Sequence, residues 1–88
     1  MADESTRAKV LLAVLAERER QDAKWGDQTQ NPDLKWNAIL VEEVGEISQD
    51  ILDKKMASML EEIIQSAAVC IAWAEAFFNR GPNFDAEE

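Results

Sequence analysis

The 88-residue sequence contains no histidine and a single cysteine, Cys70. Without histidine there is no Ser-His-Asp or Cys-His catalysis and no imidazole general base. The two shortages together leave no Cys/His set for zinc, and one cysteine cannot close a disulfide within the chain. Glycine and proline are also scarce, at three and two residues, which favours long uninterrupted helices. Basic residues are outnumbered: nine Lys+Arg against 18 Asp+Glu give a formal net charge of −9. That is the wrong sign for replacing counterions along a nucleic-acid backbone. No run reaches the roughly 18 apolar residues of a membrane span, because residues 63–78 carry Gln65, Ser66 and Glu75. The N-terminus is unlike a signal peptide, since Asp3 and Glu4 open it and Glu17, Arg18, Glu19 and Arg20 directly follow its short apolar stretch, residues 10–16. A cytoplasmic protein with neither membrane nor nucleic acid as partner is expected. The chemistry left to it is that of carboxylate, amide, Lys/Arg and indole.

What is present reads as one all-α domain, residues 1–82, with an acidic tail over 83–88. Nothing alternates like a strand. A first helix is expected over residues 5–24, capped by Ser5 or Thr6, with Ala8, Leu11, Leu12 and Leu15 as its inner stripe. Gly26 and Pro32 bracket a polar loop. A second helix is expected over residues 33–53, with Asp33 as its N-cap. Stepping about 100° per residue from Leu40, Trp36, Leu40, Val44, Ile47 and Ile51 fall within roughly 40° of one line, the expected core face. Lys54 and Lys55 mark a short break. A third helix, from 56 or 57 to 79, carries Leu60, Ile63, Ile64, Ala67, Ile71, Ala74 and Phe78 as its main stripe. From Ala67 onward its back is apolar as well, with Val69, Ala72, Trp73 and Ala76. A helix apolar all round is buried on more than one side, and a chain this short buries only roughly 60–65% of its unfolded surface. A second chain is expected to complete the bundle.

The chemically informative segment is Glu42-Glu43-Val44-Gly45-Glu46. Glu43 and Glu46 share a helix face, and Asp50 follows one turn later. They lie about 60°, 120° and 80° from the centre of the expected core face, flanking it. An interior glycine, Gly45, costs about 1 kcal/mol relative to alanine and suggests close approach of a helix or ligand. Glu61 and Glu62 open the third helix, with Gln65 one turn after Glu62. An antiparallel hairpin of helices two and three brings Glu43, Glu46, Glu62 and Gln65 to one level. Hard oxygen donors without thiolate or imidazole suit Mg²⁺ or Mn²⁺. The spacing alone goes no further, and a solvated acidic face produces the same pattern.

With those residues in view, the chain resembles the MazG-like family of all-α nucleoside triphosphate pyrophosphohydrolases. The family pattern is an ExxE pair followed by an ExxD pair; here Glu43-x-x-Glu46 matches the first, preceded by Glu42, and Glu62-x-x-Gln65 stands at the second. The stretch from Glu17 to Gly26 and the Ala67–Trp73 part of the last helix are similar to a short subgroup of the family. The resemblance implies a three-helix chain completing a four-helix-type bundle as a homodimer or homotetramer. It implies Mg²⁺-dependent hydrolysis (with Mn²⁺ as a substitute) of an NTP or dNTP to the monophosphate and pyrophosphate. Glu43, Glu46 and Glu62 become metal ligands, Gln65 a weak or water-mediated fourth, and Asp50 an outer one. Glu46 or Glu42 orients or deprotonates the attacking water. Lys24, Lys54 and Lys55 are candidate phosphate contacts, with ordinary helix-end solvation as the competing reading; Trp25 and Trp36 are candidate base-stacking surfaces, Trp36 also fitting the core stripe, and Asn37 is a candidate base or sugar contact. Gln65 departs from the family pattern, because a carboxamide offers an oxygen but no charge. That departure keeps an alternative open: a protein that binds a nucleotide–metal complex or a helical partner with weakened or lost turnover. A small acidic interaction module is the third possibility.

Overall fold

The computed structural model describes residues 3–80, which form three helices and no strand: α1 (Glu4–Trp25), α2 (Asp33–Leu52) and α3 (Met56–Asn79). The expected tail lies outside the described residues. Each helix boundary has a local cause. Asp3, and not Ser5 or Thr6, caps α1; its Oδ1 accepts from the Thr6 N–H at 2.8 Å, and a carboxylate there also suits the positive end of the helix. Gly26 ends α1 with φ of 71° while its N–H donates to the Asp22 carbonyl, a backbone setting that favours glycine. The loop that follows is tied down by Asp27, which accepts from the Thr29 N–H and hydroxyl at 2.9 and 2.7 Å.

Pro32, not Asp33, is the N-cap of α2. Asp33 is the first helical residue, and its carboxylate serves a tertiary purpose. It accepts from Trp73 Nε1 at 2.9 Å and from both terminal nitrogens of Arg80 at 2.6 and 3.1 Å. The start of α2 is thereby fastened to the end of α3. At the other end of this hairpin the Lys55 N–H donates to the Asp50 carbonyl at 2.9 Å and the Lys54 N–H to the Ile51 carbonyl at 3.2 Å. This is a Schellman stop with Lys54, at φ of 57°, in the left-handed position that glycine normally fills.

Helix α3 packs against both other helices, and α1 and α2 do not pack on each other. Its inner face is the one made of small residues. Ala68, Ala72 and Ala76 recur every fourth position and, with Val69, are buried, letting two helices approach closely. Trp36 from α2 closes this core, with Ile39, Leu40 and Trp73 against it. The expected main stripe of α3 faces the other way: Leu60, Ile63, Ile71 and Phe78 are exposed, Phe78 at 86%. The expected α1 stripe is likewise outside, since Leu11, Leu12 and Leu15 are exposed while Val14 and Gln21 are buried. On α2 the inward face is turned about 50° from the expected line, so that Glu43 and Asp50 are half-buried and Val44 and Ile51 are exposed. Among the described residues the core has six apolar side chains, three of them alanine. By length and hydropathy α3 also qualifies as long and apolar enough to cross a membrane, which the run-length criterion above did not detect. Within the chain its Glu75 pairs with Arg18 at 2.6 Å, and this pair joins α3 to α1.

Candidate metal centre and adjoining cleft

The rotation of α2 brings its acidic residues against the first turns of α3. Glu43, Glu46 and Glu62 each present a carboxylate oxygen, and these oxygens all lie within 4.8 Å of one another. Three like charges so close are unfavourable unless protons or a cation neutralise them. Burial, then the charges of Glu46, Glu42 and Glu17, hold the Glu43 carboxyl above the ordinary value. The Glu46 carboxyl is raised by the hydrogen bond and charge it shares with Glu62. Glu62 is raised by burial first and by Glu43 and Asp50 after it. No ion pair among the described residues involves Glu42, Glu43, Glu46 or Glu62.

Gln65 joins the cluster. With its nitrogen turned toward the acids it donates to Glu62 Oε2 and Glu43 Oε2, each at 3.1 Å; turned the other way, its oxygen faces the same space. The donor set suits a hard divalent cation. Glu43, Glu46 and Glu62 would hold such an ion, each offering one carboxylate oxygen. Asp50 stands apart from the three, accepting from the Ser58 hydroxyl at 2.7 Å, although its charge is felt at Glu46 and Glu62.

Because α1 and α2 diverge over α3, a cleft of about 830 Å³ opens between them, with Glu42 and Glu43 on one wall. Trp25 and Trp36 line it, Trp25 half-exposed and Trp36 buried with an indole Nε1 that has no hydrogen-bond partner among the described residues. Of the basic residues named from the sequence, none lines this cleft. Lys24 lies over the Trp25 ring at 4.8 Å. Lys54 and Lys55 sit in the α2–α3 turn, eight or more residues past Glu46, or about 12 Å of helical rise. Asn37 is exposed on α2 and also lies outside the cleft lining. The basic residues that do line it are Arg18, engaged with Asp22 and Glu75, and Lys35, which has no ion pair among the described residues. Gln21 and Gln28 add amide groups. Sequence reasoning passed over Lys35, although the spacing Lys35, Ile39, Glu42, Glu46 marks one helix face. Around Gly45 there is open space within the chain, so the close approach expected there is not made by α1 or α3.

Compared with known proteins, the chain matches no family model, no curated protein and no solved structure.

Proposed function

We propose that this chain is a Mg²⁺-dependent nucleotide pyrophosphohydrolase of the MazG-like kind, hydrolysing an NTP or dNTP to the monophosphate and pyrophosphate. The observation that carries the reading is the convergence of Glu43, Glu46 and Glu62 within 4.8 Å at the rim of a cleft lined by two tryptophans. The cleft's size is in the range of small-molecule sites. Glu43, Glu46 and Glu62 hold the cation, and the Gln65 carboxamide presents its oxygen to it or to a bound water. A bound Mg²⁺ reverses the local field, which otherwise repels a triphosphate, and stabilises charge on the transferred phosphoryl group. Trp25 and Trp36 receive the nucleoside, since an aromatic face stacks on any base. Glu42 faces the cleft without sharing in the cluster and is the better placed of Glu42 and Glu46 to orient the attacking water and accept its proton.

The apolar stripes on the outsides of α1 and α3 support a homodimer or homotetramer, in which a second copy covers them and completes a four-helix bundle. A core of six apolar side chains among the described residues is small for a chain of this length and supports completion by a second copy.

Pyrophosphate release from a panel of NTPs and dNTPs with Mg²⁺ or Mn²⁺ tests the activity. Glu43→Gln and Glu46→Gln are expected to abolish it, and a wild type inactive on every nucleotide with both metals rejects it. Gln65 favours a second reading, nucleotide–metal binding with weakened turnover, because its carboxamide adds no charge to the cation site. Calorimetric binding without hydrolysis, with turnover gained in Gln65→Asp, is the result that selects that alternative.

A further inference from the structure

A second, smaller hollow lies between α1 and α3, lined by Glu17, Arg20, Leu60, Glu61, Ile64 and Gln65 among others. It shares no lining residue with the tryptophan cleft, yet it borders the same acidic cluster, because Gln65 reaches Glu43 and Glu62 at 3.1 Å. The cluster thus has an aromatic side and a second side, and the second carries an arginine. The Arg20 guanidinium is held by Glu17 through two hydrogen bonds, from Nε at 2.8 Å and from Nη2 at 2.6 Å. The Glu43 charge is felt at Arg20, and Glu43 has no ion pair among the described residues.

This arrangement suits exchange of one anion for another. A guanidinium fork fits phosphate oxygens as well as a carboxylate. Half of the Arg20 side chain is exposed and only 11% of the Glu17 side chain is, so leaving the pair costs Glu17 its cation, and charge-assisted contacts to a phosphate must offset that cost. Glu17 is not stranded when Arg20 leaves, because it also accepts from Gln21 Nε2 at 3.1 Å. The tryptophan cleft has the aromatic surfaces a nucleoside needs, and the hollow has the cation that terminal phosphates need.

We propose that Arg20 turns from Glu17 onto the terminal phosphates of a bound nucleoside triphosphate and so forms the pyrophosphate subsite, on the opposite side of the acidic cluster from the nucleoside. The inference rests on the functional reading above and names a substrate-binding residue for it. The test is calorimetric, with Mn²⁺ present in every titration of a phosphate compound, on wild type, Arg20→Gln, Arg20→Lys and Glu17→Gln. The probes are Mn²⁺ alone, pyrophosphate, nucleoside monophosphates and triphosphates with a non-hydrolysable α,β-bridge. Arg20→Gln is expected to weaken pyrophosphate and triphosphate binding by on the order of tenfold, with Mn²⁺ and monophosphate affinities unchanged and Arg20→Lys intermediate. Glu17→Gln, which frees the guanidinium while leaving it in place, is expected to bind pyrophosphate as tightly as wild type or more so. Undiminished pyrophosphate binding in Arg20→Gln overturns the proposal. So does an equal loss for monophosphate, or a loss in Glu17→Gln as large as in Arg20→Gln, which marks the pair as structural. If these appear while wild type still binds triphosphate, only the role of Arg20 falls. A wild type that binds neither Mn²⁺ nor triphosphate removes the functional reading and this one together.

Discussion

Replacing Glu62 by glutamine is expected to stabilise the metal-free protein and to remove its response to metal. Two unit charges 4.8 Å apart, the outer limit for Glu43 and Glu62, repel by about 0.9 kcal/mol in water and about 3.5 kcal/mol at an effective dielectric constant of 20. Both side chains are only partly buried, so screening places the gain near the lower figure, about 1 kcal/mol. For a domain of this size that raises the melting temperature by roughly 4–8 °C. The substitution keeps the shape of the side chain, and the new amide can donate to Glu43.

The pH dependence has a definite sign. Glu43, Glu46 and Glu62 keep their protons to higher pH in the folded chain than in the unfolded one. Between the ordinary glutamate value and the raised ones the folded state binds more protons, so stability falls as pH rises. The contribution is complete below the ordinary value and gone above the raised ones. Glu62→Gln flattens this slope. Wild type at neutral pH is expected to gain stability with Mn²⁺, by about 2.7 kcal/mol at a hundredfold excess over Kd, and the variant to gain far less. Thermal melts by circular dichroism at fixed protein concentration, from pH 4 to 8 with chelator or Mn²⁺, measure all three effects. A variant less stable than wild type at pH 7 with chelator refutes the electrostatic argument. A wild type indifferent to Mn²⁺ refutes the cation site.

Three further outcomes follow from the fold. Lys54→Gly relieves the left-handed residue of the Schellman stop and is expected to add about 1 kcal/mol, read from the urea midpoint. Asp33→Ala leaves Trp73 Nε1 and the Arg80 guanidinium without their shared acceptor and is expected to cost about 2–3 kcal/mol in the same assay; a loss below 0.5 kcal/mol (about the spread of surface substitutions) shows that the fastening is dispensable. On the proposed assembly, Ile71→Lys changes a residue on the outward face of α3 and is expected to convert the oligomer to monomer, with loss of helix, in light scattering and circular dichroism; an unchanged assembly places the interface elsewhere, and a monomeric wild type rejects the proposed assembly.

The number, type and approximate limits of the helices were legible because glycine, proline and polar clusters punctuate the sequence where the helices end. The inward faces were less legible, for a physical reason. Helix α3 has two apolar faces, and periodicity ranks them by bulk, favouring Leu60, Ile63, Ile71 and Phe78. Within one chain it is close approach that decides, and the alanine ridge Ala68-Ala72-Ala76 allows it. The Asp33 role was hidden because an acidic residue just after a proline has a local explanation, the N-cap, whereas its partners lie 40 and 47 residues away. The acidic residues were legible as candidates, since a hairpin puts Glu43 and Glu62 at one level along the helices, but their convergence depends on the rotation of α2, which the periodicity did not give. The basic residues around them were not legible, because whether Lys35 or Lys54 faces a cleft depends on where α1 runs, and no short-range pattern encodes that.

The rotation of α2 connects the acidic cluster with the apolar surface. Had the Leu40–Val44–Ile51 line faced α3, Glu43 and Asp50 would sit at the margin and the carboxylates would diverge into solvent. Turning the helix by about 50° draws Glu43 inward and moves Val44 and Ile51 outward. The same rotation therefore concentrates negative charge inside the protomer and exposes apolar surface outside it, and both changes are unfavourable for an isolated chain. On the proposed function a divalent cation would offset the first and a second copy covering the apolar faces would offset the second. On the proposed function the two are coupled, since each favours the same setting of α2. Metal binding is then expected to tighten assembly, and dilution to weaken metal affinity. Sedimentation across a protein concentration series with Mn²⁺ or with chelator reads this directly, and a dissociation constant for assembly that does not change with metal separates the two effects.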